Sequence, residues 1–373
     1  MEVVNYVIYR DNPYHQLLYS ALDGRYTAVR GDIDLATEQL TRDGRQIFHV
    51  HWEEHALRPC STSVEARAVK DFLLTQIAQF KNLGGRIVWT VHNMMPHELE
   101  HVDVFLDLRR GLADIADLIL VHNVEAVGLL QDQVSLDICK LVHLAHPSYQ
   151  GIYPPGRSGP EARGDLPAGR LLAFGKVRRY KGFDGLLDML PDGFLVENDL
   201  TLRITGQPLA GDTFGDELIQ RASGRDRVNL DFRVVPDEEV IDLLRAATCV
   251  LLPYERFLTS GISLLCLTAG ALVVAPRVAA LEEVFPAACH RLLYRPGDAS
   301  DLRRAVLEAN SLSPEERERL SAESLARADW LSPKRISTRL GRLYDDLLDH
   351  GGKPPGEPVV IPEIAGVDPG AAD

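Results

Sequence analysis

The sequence predicts an α/β protein with two doubly wound parallel sheets. Short apolar segments of strand length alternate with longer segments of helical spacing, the pattern of a parallel sheet covered by helices. The chain has 373 residues, a length for which two domains are expected. Residues 151–169 are rich in proline, glycine and charge, so they form no packed element and separate the two alternating regions.

The first region, residues 1–150, contains five predicted strands, each a short apolar run bounded by polar or turn-forming residues. In chain order these strands are Val3–Tyr9, Ile47–Trp52, Ile87–Val91, Leu118–Val121 and Leu141–Leu144. Helices are predicted at Tyr14–Leu22 and Val64–Phe80. Helical spacing predicts the buried face of the second helix, formed by Val64, Ala68, Phe72 and Ile77.

The second region, residues 170–330, repeats this alternation. Its predicted strands are Leu171–Phe174, Leu200–Thr205, Val228–Phe232, Cys249–Leu252 and Leu272–Ala275. Its predicted helices are Pro236–Ala247, Ile262–Ala269, Asp298–Glu308 and Pro314–Ala328. A last helix, Pro333–Leu348, lies within residues 331–350, and the proline- and glycine-rich tail 351–373 is expected to be disordered.

Composition excludes several classes of protein. The formal net charge of −14 argues against sequence-independent binding of nucleic acid, which relies on lysine and arginine. No apolar run reaches the length of a membrane-spanning helix, and the first residues lack the basic segment of a secretory signal. Five cysteines without a C-x-x-C pair indicate buried thiols in a reducing compartment. We therefore expect a cytoplasmic protein.

A turn between a predicted strand and helix is suited to bind phosphate. Thr259 and Ser260 can cap the helix that follows, and Gly261 lets a ligand approach the backbone closely. The first N–H groups of a helix have no partner within it, and the helix dipole adds positive charge there. A phosphate group fits such a site. The alternative is a capped core helix without a ligand.

A cluster of cations lies at the end of another strand of the same region. In the segment LLAFGKVRRYKGF, residues 171–183, Lys176, Arg178, Arg179 and Lys181 are crowded between Gly175 and Gly182. Lysine and arginine side chains in this arrangement can hold a pyrophosphate. The alternative is a solvated charged loop.

Histidines are concentrated in the first region, which holds ten of the twelve. Several lie where predicted strands end, and the carboxyl ends of parallel strands line the ligand site of an open sheet. Imidazoles at such a site suit general base catalysis or donation to a developing charge on the leaving group. A structural role is favoured for His49, His122, His143 and His146. His97 and His101 are spaced to share a helix face, but no third ligand accompanies them at a fixed spacing, so no metal site is predicted.

These segments resemble known sequence motifs. FGKVRRYKG is similar to the G-R-x-x-x-x-K-G turn of nucleotide-sugar glycosyltransferases of the GT-B fold. The stretch LPYERFLTSGISLLCLTAGALVVAPRVAALEEV resembles their donor-binding block. The resemblance covers most of residues 3–345 and is closest to family-4-like members of bacterial polysaccharide assembly. It implies two facing Rossmann-like domains and a C-terminal helix that crosses back to the first domain.

The resemblance assigns donor-binding roles in the second domain. Lys176 and Lys181 occupy the positions of the cations that hold the donor pyrophosphate, and Arg178 is a third candidate cation. Glu283 matches a later glutamate of the family, while one of its other glutamates is replaced by Leu265. The remaining assigned residues are Thr259, Ser260 and Gly261 at the phosphate loop and Val234 and Val235 at the nucleotide base.

The resemblance also assigns the first domain to the acceptor. Asn12 and Tyr14 match an acceptor-side loop. His92 matches a T-x-H motif that reaches the donor sugar or phosphate, so it is the first catalytic candidate. His51 is the second catalytic candidate and is expected to face the acceptor. Glu98 is a candidate carboxylate base. No metal and no other cofactor is expected, because lysine, arginine and helix N-termini neutralise the leaving diphosphate in this fold.

The predicted function is therefore transfer of a hexosyl unit from a UDP- or GDP-sugar to a glycan acceptor, with domain closure excluding water. The polysaccharide-assembly resemblance implies a lipid-linked acceptor and peripheral contact at the inner face of the plasma membrane. Two alternatives remain open: an epimerase or phosphorylase of the same fold, and a non-catalytic nucleotide-sugar-binding protein.

Overall fold

The computed structural model describes residues 1–9, 12–22, 24–93, 95, 100–156, 169–254 and 258–349. The chain divides into two units. The first comprises Met1–Pro147 together with the chain from Pro333 onward, and the second comprises Ser148–Ser332. Each unit contains one parallel six-stranded sheet with helices around it.

The sheet of the first unit has the strand order β2-β1-β3-β4-β5-β6. Its strands are β1 (Glu2–Tyr6), β2 (Thr27–Arg30), β3 (Ile47–His51), β4 (Arg86–Val91), β5 (Leu118–Val121) and β6 (Leu141–His143). Its helices are α1 (Tyr14–Leu18), α2 (Ile33–Asp43), α3 (Ser63–Asn82), α4 (Val102–Ile115), α5 (Glu125–Gln131) and α14 (Pro333–Asp349). All five pairings are parallel, and β3 and β5 are buried along their whole length, as expected for strands covered on both faces.

The sheet of the second unit has the order β12-β11-β10-β7-β8-β9. Its strands are β7 (Arg170–Phe174), β8 (Thr201–Thr205), β9 (Val228–Asp231), β10 (Cys249–Leu251), β11 (Val273–Pro276) and β12 (Leu293–Tyr294). Its helices are α6 (Phe183–Met189), α7 (Asp192–Glu197), α8 (Phe214–Ala222), α9 (Asp237–Ala246), α10 (Gly261–Ala269), α11 (Ala279–Val284), α12 (Ala299–Ser311) and α13 (Pro314–Trp330).

The strand order reverses once in each sheet. In the first unit the reversal lies between β1 and β3, and in the second unit it lies between β7 and β10. At such a switch point the connections leave the two neighbouring strands toward opposite faces, and a crevice opens at their carboxyl ends. The residues that follow these four strands are therefore the first place to look for a ligand site.

The predicted fold class and the ten predicted strands are confirmed, but two strands escaped prediction. Thr27–Arg30 is an edge strand with exposed ends, so its sequence is not an apolar run. Leu293–Tyr294 has only two residues. Of the four residues predicted to form the buried face of α3, only Ile77 is buried. Ala68 is exposed, Val64 is 80% exposed and Phe72 is 62% exposed. The buried residues of α3 are Ala66, Ile77 and Phe80.

The last helix, α14, packs on α1 of the first unit. The Ser337 hydroxyl accepts a hydrogen bond from the Ala21 amide at 2.9 Å, and the hydroxyls of Tyr344 and Tyr19 lie 2.7 Å apart. Residues 157–168 of the predicted linker and the predicted tail 351–373 lie outside the described residues. Among the helices that are described, none combines the length and hydropathy that a bilayer crossing requires.

Candidate active site

The cationic loop after β7 and the loop after β10 meet at the switch point of the second unit. The amine of Lys181 donates a hydrogen bond to the Tyr254 hydroxyl at 2.9 Å. Gly182, at φ 69°, lies so close to the chain after β10 that an added Cβ would be 2.5 Å from the Pro253 carbonyl oxygen. The Tyr254 hydroxyl also interacts with the side chain of Ser260. Two loops far apart in sequence thus form one site.

The N-terminus of α10 completes this site. Ser260 caps the helix by accepting a hydrogen bond from the Ser263 amide at 3.2 Å. Gly261 begins the helix, and a Cβ added there would lie 2.5 Å from the hydroxyl oxygen of Tyr149. A glycine is therefore required beneath Tyr149, and the first turn of α10 keeps amide groups without an intrahelical partner.

Two buried polar atoms in these loops lack a hydrogen-bond partner among the described residues: Oγ1 of Thr259 and Nη1 of Arg178. Buried polar groups are nearly always paired in folded proteins. An anion between the two loops would supply the missing acceptors, and its charge would suit both the guanidinium and the helix N-terminus.

Burial lowers the pKa of the Lys181 amine to about 7. The amine lies 4.2 Å from the centre of the Tyr254 ring, and desolvation disfavours its charged form. An anion bound beside Lys181 would favour the charged form again. Lys181 can therefore act as a cation that becomes fully charged when its ligand arrives.

In the first unit, His51 and His92 meet at the carboxyl ends of β3 and β4. His51 Nδ1 lies 2.9 Å from His92 Nε2, and His51 Nε2 lies 3.1 Å from the side-chain oxygen of Asn5 on β1. The Trp52 indole stacks on the His92 ring, with 4.0 Å between ring centres and 13° between ring planes. The histidine pair thus lies beside the switch point between β1 and β3.

Tyr14 lies at the centre of this cluster and is only 1% exposed. Its ring is in contact with the rings of His15, His51, Trp52, His92, His122 and His146. Its hydroxyl faces Thr90 without a hydrogen bond of normal geometry. Its amide donates a hydrogen bond to the Asn12 side chain at 3.0 Å, so Asn12 fixes the start of α1.

The imidazoles of this cluster are neutral at physiological pH. Burial, and then repulsion by neighbouring imidazoles, lowers the pKa of His51 and His92 well below the usual value. Burial lowers the pKa of His15 to about 4 and that of His122 to about 3. Both ring nitrogens of His15 and Nε2 of His122 are buried without a hydrogen-bond partner among the described residues. The cluster therefore offers uncharged proton acceptors.

The backbone is strained at both strand ends that flank this switch point. Val7 after β1 has φ 68° and Trp52 after β3 has φ 44°, in the left-handed region that residues with a Cβ avoid. Such strain, which costs about 1–3 kcal/mol per residue, is concentrated at functional sites. The turn at Trp52 places its indole on His92.

Comparisons with known proteins all find glycosyltransferases or proteins of similar fold. A family profile described as "Glycosyl transferases group 1" matches residues 168–311. The chain is 28% identical over 349 residues to the GDP-mannose:glycolipid 4-beta-D-mannosyltransferase of Xanthomonas campestris pv. campestris, covering 92% of this chain and 89% of that protein. Its fold is similar to that of Anabaena Alr3699/HepE, solved in complex with UDP and glucose, with a TM-score of 0.63 and 14% identity over 93% of this chain and 100% of that one. The sucrose-phosphate synthase of Thermosynechococcus elongatus gives a TM-score of 0.63 with 17% identity, over 92% of this chain and 81% of that one.

The chain is a glycosyltransferase of the GT-B fold. The matched profile spans the cationic loop and the N-terminus of α10. The similarity to the mannosyltransferase extends over 92% of the chain.

The structure places the other predicted donor residues of this glycosyltransferase around the second sheet. Lys176 is exposed in the cationic loop. Glu283 is buried on α11, where its backbone carbonyl accepts a hydrogen bond from Arg327 at 2.7 Å. Val234 is exposed and Val235 half-buried in the segment after β9, which is two strands away from β7. The roles of these four residues stay predictions.

The candidate base Glu98 lies outside the described residues, as does His97. His101 is hydrogen-bonded to the Cys60 carbonyl at 3.1 Å. Over the residues that are described, no three or more histidine, cysteine or acidic side chains are grouped so as to hold a metal ion.

Each unit also has residues, beside its own predicted site residues, that sequence analysis missed. No local sequence motif marks Tyr254 or Tyr149. Tyr254 lies beside Lys181 and Tyr149 lies beside Gly261 only in the folded chain. Glu54, two residues after Trp52, is buried, and burial raises its pKa to about 7. The side chain of Asn93 donates a hydrogen bond to Glu54 at 3.3 Å. Two adjacent glutamates, Glu53 and Glu54, follow the H-x-H-W motif in the sequence, and this pair could have indicated Glu54 as a candidate.

Proposed function

We propose that this glycosyltransferase moves a mannosyl unit from GDP-mannose to a lipid-linked glycan, as a step in polysaccharide assembly at the cytoplasmic side of the membrane. The observation that carries the proposal is the 28% identity to a GDP-mannose:glycolipid mannosyltransferase over 92% of the chain. Because the alignment includes both units, it supports a likeness in donor and in acceptor.

The second unit would bind the donor diphosphate at its switch point. The oxygens of the leaving diphosphate would meet Lys181, Arg178, Thr259 and the first turn of α10. Two of these groups are buried polar atoms that lack a partner in the described chain. Each well-placed donor to a developing negative charge contributes about 3 kcal/mol to catalysis. Stabilisation of the leaving group is thus the principal role of this unit.

The first unit would supply the general base. Transfer from an α-linked sugar nucleotide to a β-linked product inverts the anomeric carbon, and a direct displacement of this kind needs a base for the acceptor hydroxyl. His92 is neutral, lies at the end of β4 and is held by stacking on Trp52. His51 holds His92 through a hydrogen bond. Asn12 and Tyr14 would shape the acceptor side of the cluster.

Contact with the membrane would use the exposed face of α3. Val64, Ala68 and Phe72 form an exposed row four residues apart on this helix. Arg67 pairs with Asp103, and Lys70 lies 2.7 Å from Asp71, so the row has little net positive charge. We expect Phe72→Ser to reduce co-sedimentation of the full chain with phosphatidylcholine vesicles. Binding only to anionic vesicles, and unchanged by Phe72→Ser, would contradict this surface.

The enzymatic test uses the purified full chain with GDP-mannose, GDP-glucose, UDP-glucose and UDP-galactose. Acceptors are lipid-diphosphate-linked di-, tri- and tetrasaccharides and the same glycans without lipid. We expect transfer from GDP-mannose to a lipid-linked acceptor, a β-anomeric product by NMR, and loss of activity in Lys181→Met. Transfer from a UDP-sugar alone, or an α-linked product, would overturn the proposal. Donor turnover without any acceptor would favour an epimerase.

A further inference from the structure

The side-chain amide of Asn5 has a single possible orientation. Asn5 is fully buried on β1, next to the switch point, and its Nδ2 donates a hydrogen bond to the backbone carbonyl of Val3 at 2.8 Å. A carbonyl oxygen can only accept. The amide nitrogen therefore faces Val3, and the amide oxygen faces the opposite side.

The oxygen of Asn5 decides where His51 carries its proton. It lies 3.0 Å from the Tyr19 hydroxyl and 3.1 Å from His51 Nε2. An amide oxygen only accepts, so both groups must donate to it. Burial keeps His51 neutral with a single ring proton. That proton is on Nε2, and Nδ1 of His51 carries a lone pair.

The lone pair on His51 Nδ1 determines in turn which ring nitrogen of His92 is protonated. The Nε2 atom of His92 lies 2.9 Å from the His51 Nδ1 lone pair, so His92 must donate from Nε2. His92 is also neutral because of burial, so its Nδ1 carries the lone pair. Among the described residues, Nδ1 of His92 has no hydrogen-bond partner. The backbone carbonyl of Val3 thus fixes the orientation of the Asn5 amide, which fixes the tautomer of His51 and, through His51, that of His92.

A second series of hydrogen bonds, through Tyr19, also holds the Asn5 side chain in place. Tyr19 uses its proton on Asn5, so its oxygen accepts from the Tyr344 hydroxyl at 2.7 Å. Tyr344 in turn accepts from His49 Nδ1, also at 2.7 Å, and His49 Nε2 accepts from the Thr90 hydroxyl at 2.7 Å. The network is buried and extends from β4 to α14, so the orientation of Asn5 is supported on both sides.

We propose that Asn5 is a positioning residue that acts through His51 to make Nδ1 the proton-accepting atom of His92 in glycosyl transfer. The inference rests on the proposed function for its chemistry, but the tautomers it assigns can be measured without any substrate.

In the step that follows, the acceptor hydroxyl oxygen forms a bond to the anomeric carbon of the donor. The bond from that carbon to the phosphate oxygen breaks, and the nucleoside diphosphate leaves with the bonding electrons. The hydroxyl proton goes to His92 Nδ1, which makes His92 an imidazolium. Because the amide oxygen of Asn5 does not take up a proton, the chain through His51 ends there and the imidazolium returns its proton to solvent from Nδ1.

The first measurement is a long-range proton–nitrogen correlation spectrum of the full chain labelled with 15N-histidine at neutral pH. The His92 and His51 signals are assigned from His92→Gln and His51→Asn. We expect both rings to be protonated on Nε2 and unprotonated on Nδ1. A protonated Nδ1 on either ring would overturn the inference. Loss of transfer activity with correct tautomers would instead count against the proposed function.

The second measurement compares Asn5→Leu with Asn5→Asp. Leucine removes the acceptor for His51, whereas aspartate keeps an oxygen there. We expect Asn5→Leu to lower kcat about 100-fold, the lower limit for a well-placed base, with little change in donor KM. Asn5→Asp should keep kcat within about tenfold of wild type and preserve both tautomers.

A matched control separates this role from general stability. Asn198→Leu removes an amide that also donates to a backbone carbonyl, that of Phe194 at 2.8 Å, but lies in the second unit. It should leave kcat and tautomers unchanged. If Asn5→Leu does not fold, two variants of His51 replace it in the test. His51→Asn retains an oxygen near the Nδ1 position that can accept the hydrogen bond from His92 Nε2, so it should keep the His92 tautomer. His51→Leu removes that acceptor and should not keep the tautomer. Equal kcat for Asn5→Leu and wild type would overturn the proposal.

Discussion

The amine of Lys181 lies 2.9 Å from the hydroxyl of Tyr254, buried between two loops that leave neighbouring strands of the second sheet. Desolvation by burial lowers the pKa of the amine to about 7. At a pH near 7, therefore, the Lys181 amine is protonated in about half of the molecules. Its charge in the free protein therefore depends on pH over the range in which the enzyme would work.

Nucleotide affinity should fall with rising pH because of Lys181. Above pH 7 the free amine is neutral, and binding of a diphosphate raises its pKa, so binding takes up a proton. The limiting slope is about tenfold in Kd per pH unit above pH 7. Calorimetric titration with GDP in buffers of different ionisation enthalpy measures both the slope and the proton uptake.

The matched variants are Lys181→Met and Lys334→Met, the latter at an exposed lysine of α14. Lys181→Met should bind GDP more weakly and without the pH slope or proton uptake, whereas Lys334→Met should behave as wild type. An unchanged slope in Lys181→Met would show that another group takes up the proton.

Gly261 should tolerate no side chain unless Tyr149 is shortened. In Gly261→Ala the new Cβ would lie 2.5 Å from the Tyr149 hydroxyl oxygen but 3.5 Å from the ring carbon that carries it. We expect Gly261→Ala to weaken GDP binding and Gly261→Ala/Tyr149→Phe to restore part of it, a coupling of about 1 kcal/mol in a double-mutant cycle. Gly193→Ala, where nothing lies within 4 Å of the added carbon, is the control and should have no effect. Additive single effects would count against the close contact.

Transfer should survive removal of divalent cations. The leaving diphosphate would be neutralised by Lys181, Arg178 and the N-terminus of α10 rather than by a metal ion. We expect initial rates in excess EDTA to stay within about twofold of those with added Mg²⁺ or Mn²⁺, a difference of less than 0.5 kcal/mol in the barrier. Loss of activity in EDTA and recovery with Mn²⁺ would contradict this account of the site.

Local sequence patterns predicted most of the strands but not the contacts of the site. Buried strands such as Leu118–Val121 are continuous apolar runs, and they were located correctly. The exposed face of α3 was assigned to the core because Val64 and Phe72 have the right spacing, and spacing alone does not say which of two apolar rows meets the sheet. The arrangement of Asn5, His51 and His92 depends on the order β1-β3-β4, which brings together residues far apart in the chain. Short-range patterns contain no information on that order.

The buried ion pair of Arg109 and Glu53 should be essential to the stability of the first unit. The guanidinium of Arg109 donates to Glu53 at 2.8 Å and to Gln133 at 2.7 Å, and both charged groups are inaccessible to solvent. Arg109→Met leaves a buried carboxylate without its cation, at an expected cost of about 3–5 kcal/mol. Urea unfolding of Arg109→Met and of Arg109→Met/Glu53→Leu provides the test. The double variant should be more stable than the single one, and the reverse order would contradict the account.

Trp52 should act on catalysis through the ring of His92. The indole stacks on His92 at 4.0 Å between ring centres, and Trp52 adopts a left-handed backbone conformation at φ 44° to do so. Trp52→Phe keeps an aromatic face, so kcat should stay close to wild type. Trp52→Ala frees the imidazole to rotate, and misplacement of a base by about 1 Å costs up to 100-fold in rate. GDP affinity, which depends on the second unit, should be unchanged in both variants. A parallel loss of GDP affinity and kcat would mean that Trp52 supports the fold rather than the position of His92.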